Sequence, residues 1–176
     1  MQVSVFCGVS VDGFLARPND DIDFLDAGGQ EPHGYEEFFA SVDALCIGRR
    51  TYEKVLSFGG WAYGPKRVVV LSSGALDFSS IQGGNVEQMS GPPPAIVFQL
   101  AASGIKNLYL DGGVTIQGFM RHGLVNRLIV TRVPILIGSG IPLFGSLPYD
   151  VKLDHVATRT YPGGLVQSEY LVAGNK

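Results

Sequence analysis

The sequence has 176 residues, 45% of them hydrophobic and 16% charged, with a formal net charge of −3. That length suits one domain with a real core. The hydrophobic share excludes intrinsic disorder, and the slight acidity excludes a broad basic surface for nucleic acid or anionic membrane. The low charged fraction, against a globular average of about 25%, points to a sheet buried on both faces or to an oligomer that hides surface.

Glycine is the outlier at 24 residues, about twice its usual share of roughly 7%. The glycines fall mostly between apolar runs, where a backbone must turn or approach a ligand closely. Cys7 and Cys46 sit within apolar runs and read as small core hydrophobes of a reducing compartment. No apolar run reaches the roughly 18 residues of a membrane span, and the first residues lack a basic n-region. The expectation is a soluble, cytoplasmic protein.

In chain order, residues 2–9 are apolar and β-branched and end at the turn signal Asp12-Gly13, so they predict a strand. Residues 17–34 read as a loop, interrupted by Ile22, Phe24 and Leu25. A short helix over 34–41 and a buried strand over 43–47 follow, then a strand-to-helix turn and helix over 48–57. Residues 66–71 form a strand ending at Ser72-Ser73-Gly74. The segment 91–104 opens on three prolines and closes on Gly104, the asymmetry of a helix. A strand at 106–110 runs through Asp111-Gly112-Gly113 into a helix at 114–122, closed by Gly123. Residues 126–133 form a long strand, and 134–148 a Pro/Gly-rich loop. Residues 151–161 and 165–173 alternate around Pro162-Gly163-Gly164, an antiparallel hairpin. The alternation predicts one α/β domain over 1–176: a three-layer sandwich with a mostly parallel central sheet, helices on both faces and a C-terminal antiparallel hairpin.

Open α/β sheets bind ligands at the carboxyl ends of their strands. Three strand ends here carry phosphate-friendly chemistry: Gly48-Arg49-Arg50-Thr51, Leu71-Ser72-Ser73-Gly74, and Gly112-Gly113-Val114-Thr115. Glycine admits the ligand, a helix start offers free N–H groups, and arginine offers a bidentate donor. Each piece alone is also an ordinary capped helix or turn. Neither G-x-G-x-x-G nor G-x-x-x-x-G-K-[ST] occurs, which disfavours Rossmann dehydrogenases and P-loop enzymes, and the absence of G-x-S-x-G gives hydrolase chemistry no foothold. His33, His122 and His155 are scattered, so no metal site is expected.

The order of motifs resembles the dihydrofolate reductase superfamily. The pieces are Ser10-Val11-Asp12-Gly13-Phe14, Gly48-Arg49-Arg50-Thr51-Tyr52-Glu53, Val70-Leu71-Ser72-Ser73, Asp111-Gly112-Gly113 and Val133–Phe144. The nearest likeness is to stand-alone bacterial proteins related to the reductase (RibD C-terminal) domain of riboflavin biosynthesis. The resemblance implies NADPH. Arg49, Arg50 and Thr51 would meet the pyrophosphate and 2′-phosphate, with Leu71, Ser72 and Ser73 beside the latter. Gly48, Gly112, Gly113, Val114 and Thr115 would cradle the pyrophosphate, and Gly8 and Leu15 would flank the nicotinamide. It further implies hydride transfer to a C=N or C=O of a small heterocyclic or sugar-derived acceptor. Many relatives carry an acidic pair where this chain has Asn126-Arg127, a place read as a surface or subunit contact.

For the acceptor, Asp12, Phe24, Tyr35, Glu36 and Phe38 are the candidates. No residue stands out as a proton donor: Glu36 and Glu37 serve equally as solvated helix charges, and Asp12 equally as a turn former. Trp61 reads as a pocket lid or a core aromatic. A binding protein without turnover, acting as a nucleotide sensor, stays open beside the reductase. A homodimer is expected from the low charge and from Val151, Leu153 and Leu171 on the hairpin.

Overall fold

The computed structural model describes residues 1–29 and 32–174; Gln30 and Glu31, within the loop expected at 17–34, and Asn175 and Lys176 lie outside the described residues. The strands are β1 (Gln2–Ser10), β2 (Phe14–Ala16), β3 (Ala44–Gly48), β4 (Arg67–Leu71), β5 (Asn85–Met89), β6 (Asn107–Asp111), β7 (Arg127–Val133), β8 (Ile141–Pro142), β9 (Leu153–Thr160) and β10 (Val166–Val172). The helices are α1 (Tyr35–Ser41), α2 (Arg49–Ser57), α3 (Pro93–Ala102) and α4 (Gly113–Arg121).

Eight strands form one sheet in the order β5-β4-β3-β6-β1-β7-β10-β9. The first six are parallel; β10 runs antiparallel to β7 and β9 antiparallel to β10. Alternate residues of each central strand feed two separate cores. Val5 and Cys7, Cys46, Val69, Leu108 and Leu110 pack with Ile96 and Leu100 of α3 and Ile116 and Phe119 of α4. Phe6, Leu45, Ile47, Val70 and Tyr109 pack with Phe38 of α1 and Tyr52 and Val55 of α2. The fold is therefore a three-layer α/β sandwich, α1 and α2 on one face and α3 and α4 on the other. Burial on both faces explains the near-continuous apolar runs of β3, β4 and β6.

The chain leaves β1 outward along the sheet through β3, β4 and β5, then returns to β6 between β3 and β1. Right-handed crossovers in opposite directions put their helices on opposite faces. So β3 hands its chain to α2 on one face, and its neighbour β6 hands its chain to α4 on the other. That is a topological switch point, the place where an open sheet forms its crevice.

Several short elements differ from the sequence reading. β5 lies in a stretch that carries no clear strand signal, and β2 pairs with β8 inside what reads as turn and loop. A 3-10 turn, Asp23–Gly28, interrupts the loop at 17–34. These segments are two to six residues long, too short for periodicity to register. Trp61 belongs to the core, its ring 5.2 Å from Tyr63 and 6.3 Å from Tyr52. Asn126 is exposed at the surface, where its Oδ1 accepts the Val3 N–H at 2.8 Å and ties the start of β7 to β1, while Arg127 pairs with Glu169 of β10. Among the described residues, no helix is long and apolar enough to cross a membrane.

Candidate functional site

At the switch point lies a cleft of about 740 Å³, within the usual range for small-molecule sites. Its centre is built by two glycine turns facing each other. Gly48 ends β3 and starts α2; Gly112 ends β6 and starts α4. Gly112 holds φ +92° and ψ 130°, a conformation that suits glycine, and a Cβ there would run into Thr51 Oγ1. A Cβ on Gly48 would stand 2.9 Å from Thr115 Oγ1. Each turn thus admits the threonine of the opposite helix. Neither helix has a side-chain cap, so the first-turn N–H groups of both remain for a ligand. Two positive helix ends, with Thr51 and Thr115 between them, form a cradle for a diphosphate.

The other expected cofactor residues fall around this cradle, with one correction. Gly8, Leu15, Leu71, Gly113 and Val114 line the cleft. A Cβ on Gly8 would meet Leu25 Cδ2 at 2.9 Å, and one on Gly113 would meet Ile141 Cγ2 at 2.9 Å and Leu15 Cδ1 at 3.4 Å. The β2–β8 ribbon therefore roofs the start of α4. Ser72 and Ser73 stand outside the cleft wall: the Ser72 hydroxyl donates to the Gly74 carbonyl at 2.7 Å, and Ser73 is exposed. Arg49 lies against that turn, where a Cβ on Gly74 would meet its Nη1 at 3.4 Å, and it pairs with Glu53 at 2.8 Å. Arg50 does not join it. It reaches the opposite way, to Asp20 at 2.5 Å, because adjacent helix residues point about 100° apart. Arg49 and Arg50 therefore do not converge on one point.

Of the acceptor candidates, Tyr35 alone lines the cleft. Asp12 is a clip: its carboxylate accepts the N–H groups of Gly138 at 2.7 Å and Ile137 at 3.3 Å, tying the β1–β2 turn to the later loop. The Ser10 hydroxyl, then these N–H groups, hold its carboxyl below the ordinary range. Phe24 is buried beneath the Arg17 guanidinium, 5.9 Å from the ring. Phe38 is buried one layer behind the wall, stacked on Phe6 and edge-on to Tyr109, each at 5.0 Å. Glu36 and Glu37 are exposed on α1.

The floor beyond the cradle is an aromatic wall of Phe6, His33, Tyr35, Tyr63 and Tyr109 around one carboxyl, Asp111. Asp111 keeps some accessible surface, but that surface faces the cleft. Burial there raises its pKa above the usual aspartate range, against the lowering effect of the Gly112 N–H at 2.8 Å. Burial, then the Asp111 charge, push the Tyr35 phenol up to about 12 and raise Tyr63 and Tyr109 as well. The Tyr109 hydroxyl donates to the Phe6 carbonyl at 3.0 Å, which fixes its ring. The arrangement can hold a planar ring against the aromatic wall and set beside it a carboxyl whose pKa is raised.

Asp111, Tyr63 and Tyr109 are the residues the sequence reading missed as site residues. A signal existed: in Tyr109-Leu110-Asp111, the tyrosine and the aspartate share a strand face.

The model of the RibD C-terminal domain family matches residues 2–167. The protein YwjB of Bacillus subtilis (strain 168) is 33% identical over 96% of this chain and 97% of its own. A crystal structure of a Shewanella sp. PV-4 protein named for riboflavin biosynthesis is 33% identical, with a TM-score of 0.91 over 99% of this chain and 100% of that one. The deaminase/5-amino-6-(5-phosphoribosylamino)uracil reductase of Thermotoga maritima superposes at TM-score 0.76 and 15% identity, over 98% of this chain and 56% of that one. Dihydrofolate reductase of Enterococcus faecalis complexed with NADP(H) superposes at 0.65 and 14%, over 98% and 97%. At those last two identities the likeness establishes the fold.

Proposed function

This chain belongs to the RibD C-terminal domain family, and from that membership we propose that it is a reductase using NADPH to reduce a C=N or C=O group of a small heterocyclic or sugar-derived acceptor. The observation that carries the reading is the pair of uncapped helix ends opposed across Gly48 and Gly112, with a protonatable Asp111 one residue before the cradle.

NADPH, when bound, supplies the hydride. The chain's own part is placement and proton handling. The N–H groups opening α2 and α4, with Thr51 and Thr115, bind the diphosphate. Arg49, standing at the Ser72–Gly74 turn, takes the 2′-phosphate. Gly8 and Leu15 flank the nicotinamide at the roof of the cleft, where the missing side chain of Gly8 and the packing of Leu25 set the depth. The aromatic wall orients the acceptor and excludes water. Asp111, whose pKa burial raises, in its acid form gives its carboxyl proton to the acceptor nitrogen or oxygen and is reprotonated from solvent.

A sensor without turnover is the weaker reading, because a carboxyl set in an aromatic pocket with its pKa raised serves proton transfer rather than binding of an anionic cofactor. The test is a titration of the protein with NADPH and NADH, followed by NADPH oxidation across a panel of pterins, aminouracils and simple carbonyls. Saturable NADPH binding at least tenfold tighter than NADH is expected. Equal affinity would refute the assignment.

A further inference from the structure

The α2 wall of the cleft carries an unusual charge arrangement, and it bears on what the cleft takes beside a cofactor. The cations lining the cleft, among the described residues, are Arg49, Arg50 and Lys54, all on α2. Arg49 faces away, toward Gly74. The other two are already matched by consecutive acids of one loop: Arg50 to Asp20 at 2.5 Å and Lys54 to Asp21 at 2.6 Å. Asp20 keeps φ +67°, which no other non-glycine among the described residues adopts on the positive side. The chain thus adopts an uncommon backbone conformation exactly where one carboxylate meets Arg50 and the next meets Lys54. Arg17, paired with Asp23 at 2.6 Å, ties the same loop to itself. Deeper in, the remaining acid is the Asp111 carboxyl, set among the rings of Phe6, Tyr35 and Tyr109.

We propose that Asp20 and Asp21 neutralise Arg50 and Lys54, so that the acceptor end of the cleft takes a planar heterocycle without a phosphate group. This rests on the reductase reading for the word acceptor, but the charge argument stands on the cleft alone. A phosphate dianion at this end needs a free cation, and to gain one it must displace a carboxylate from Arg50 or Lys54. A flat uncharged ring meets no such cost: it stacks on the aromatic wall and offers its nitrogen or oxygen to the Asp111 carboxyl. The Thermotoga maritima enzyme is named for a phosphoribosyl compound; the charges here divide this chain from that acceptor while keeping the same fold.

The experiment is calorimetric titration of the purified protein, with and without saturating NADPH. The probes are lumazine, 2-amino-4-hydroxypteridine and 5-aminouracil as free rings, and uridine beside uridine 5′-monophosphate as a pair that differs only in phosphate. At least one free ring should bind, and the monophosphate should bind no tighter than uridine. In the Asp20→Asn/Asp21→Asn protein the monophosphate should gain at least tenfold over uridine, and 0.5 M salt should remove the gain. Both changed residues are near the surface and asparagine tolerates positive φ, so the variant should keep its fold. A monophosphate preferred tenfold by the natural sequence overturns the proposal. So does a preference that the double substitution leaves unchanged, or binding by none of the probes. A parallel titration with NADPH itself separates the two readings: failure to bind NADPH defeats the reductase, whereas preference for phosphate defeats this proposal alone.

Discussion

Gly112→Ala tests the cradle most directly. Gly112 sits at φ +92° and ψ 130°, a region that a residue with a Cβ enters at a cost of order 1–3 kcal/mol. The new methyl would also overlap Thr51 Oγ1, so the threonine must leave its rotamer, adding roughly 1 kcal/mol. The sum is about 2–4 kcal/mol, and at roughly 2–4 °C per kcal/mol for a chain of this size the melting temperature should fall by about 5–15 °C. Cofactor affinity should suffer separately. The overlap pushes the Thr51 hydroxyl out of the cradle and tilts the first N–H groups of α4, so NADPH should bind at least tenfold more weakly, a loss of about 1.4 kcal/mol. Adding Thr51→Ala relieves the overlap but not the backbone strain, and should recover part of the stability and none of the binding. Gly113→Ala is the internal contrast. Gly113 has no positive φ, and its new methyl would meet only the side-chain ends of Ile141 and Leu15 and, at 3.4 Å, the Pro142 carbonyl; a small stability change is expected. Differential scanning fluorimetry and NADPH titration on the same samples decide the matter. A folded Gly112→Ala protein with the natural NADPH affinity would refute the cradle, however far its melting temperature had dropped.

Arg49→Ala should weaken NADPH by about tenfold and NADH by less than threefold, the low end for a charge-assisted contact because the side chain is half-exposed. Its ion pair with Glu53 is a surface i,i+4 pair worth at most about 0.5 kcal/mol, so the melting temperature should hold. Asp111→Asn should slow turnover by roughly 10²–10⁴-fold while leaving NADPH affinity intact. Because folding raises the Asp111 pKa, its ionisation opposes folding: the penalty is absent below the unfolded value of about 3.9 and grows as pH rises. The variant should therefore be more stable than the natural protein at neutral pH and equal to it near pH 4, measured by melting temperature against pH. Finally, we propose a homodimer: β9 is an exposed edge strand, and Leu153, Val156 and Leu171 are exposed on the hairpin, though Val151 packs against the core. Light scattering that returned a monomer mass at micromolar protein would rule it out.

Apart from β5, the strands and helices of the parallel sheet were legible because each declares itself locally. Buried runs such as Val68-Val69-Val70 need no partner to be recognised, and prolines before α3 and glycine after α4 mark their ends. The glycine turns were legible for the same reason, since Gly48 and Gly112 each sit between a strand and a helix. What sequence does not carry is which face a strand residue meets. Tyr109 and Asp111 share a face, but that it is the face of α1 and α2, with Phe6 from β1 and Tyr35 from α1, follows only from β6 lying between β3 and β1. Without that strand order, Asp111 is one more turn-forming aspartate, and the search for an acid goes to Glu36, which the helix turns toward solvent.

The arginine pair shows a different limit. Arg49 and Arg50 are adjacent in sequence and invite a single anion between them. Helix geometry forbids it, since a rise of one residue rotates the side chain by about 100°. That much is deducible from the helix at 49–57 alone. The identity of the second anion is not: Asp20 lies 30 positions earlier, in a loop with no periodic signal, followed by a 3-10 turn that packs against β1 and β7. The divergence matters chemically. It places one arginine at the turn suited to the cofactor's extra phosphate and closes the other with a carboxylate.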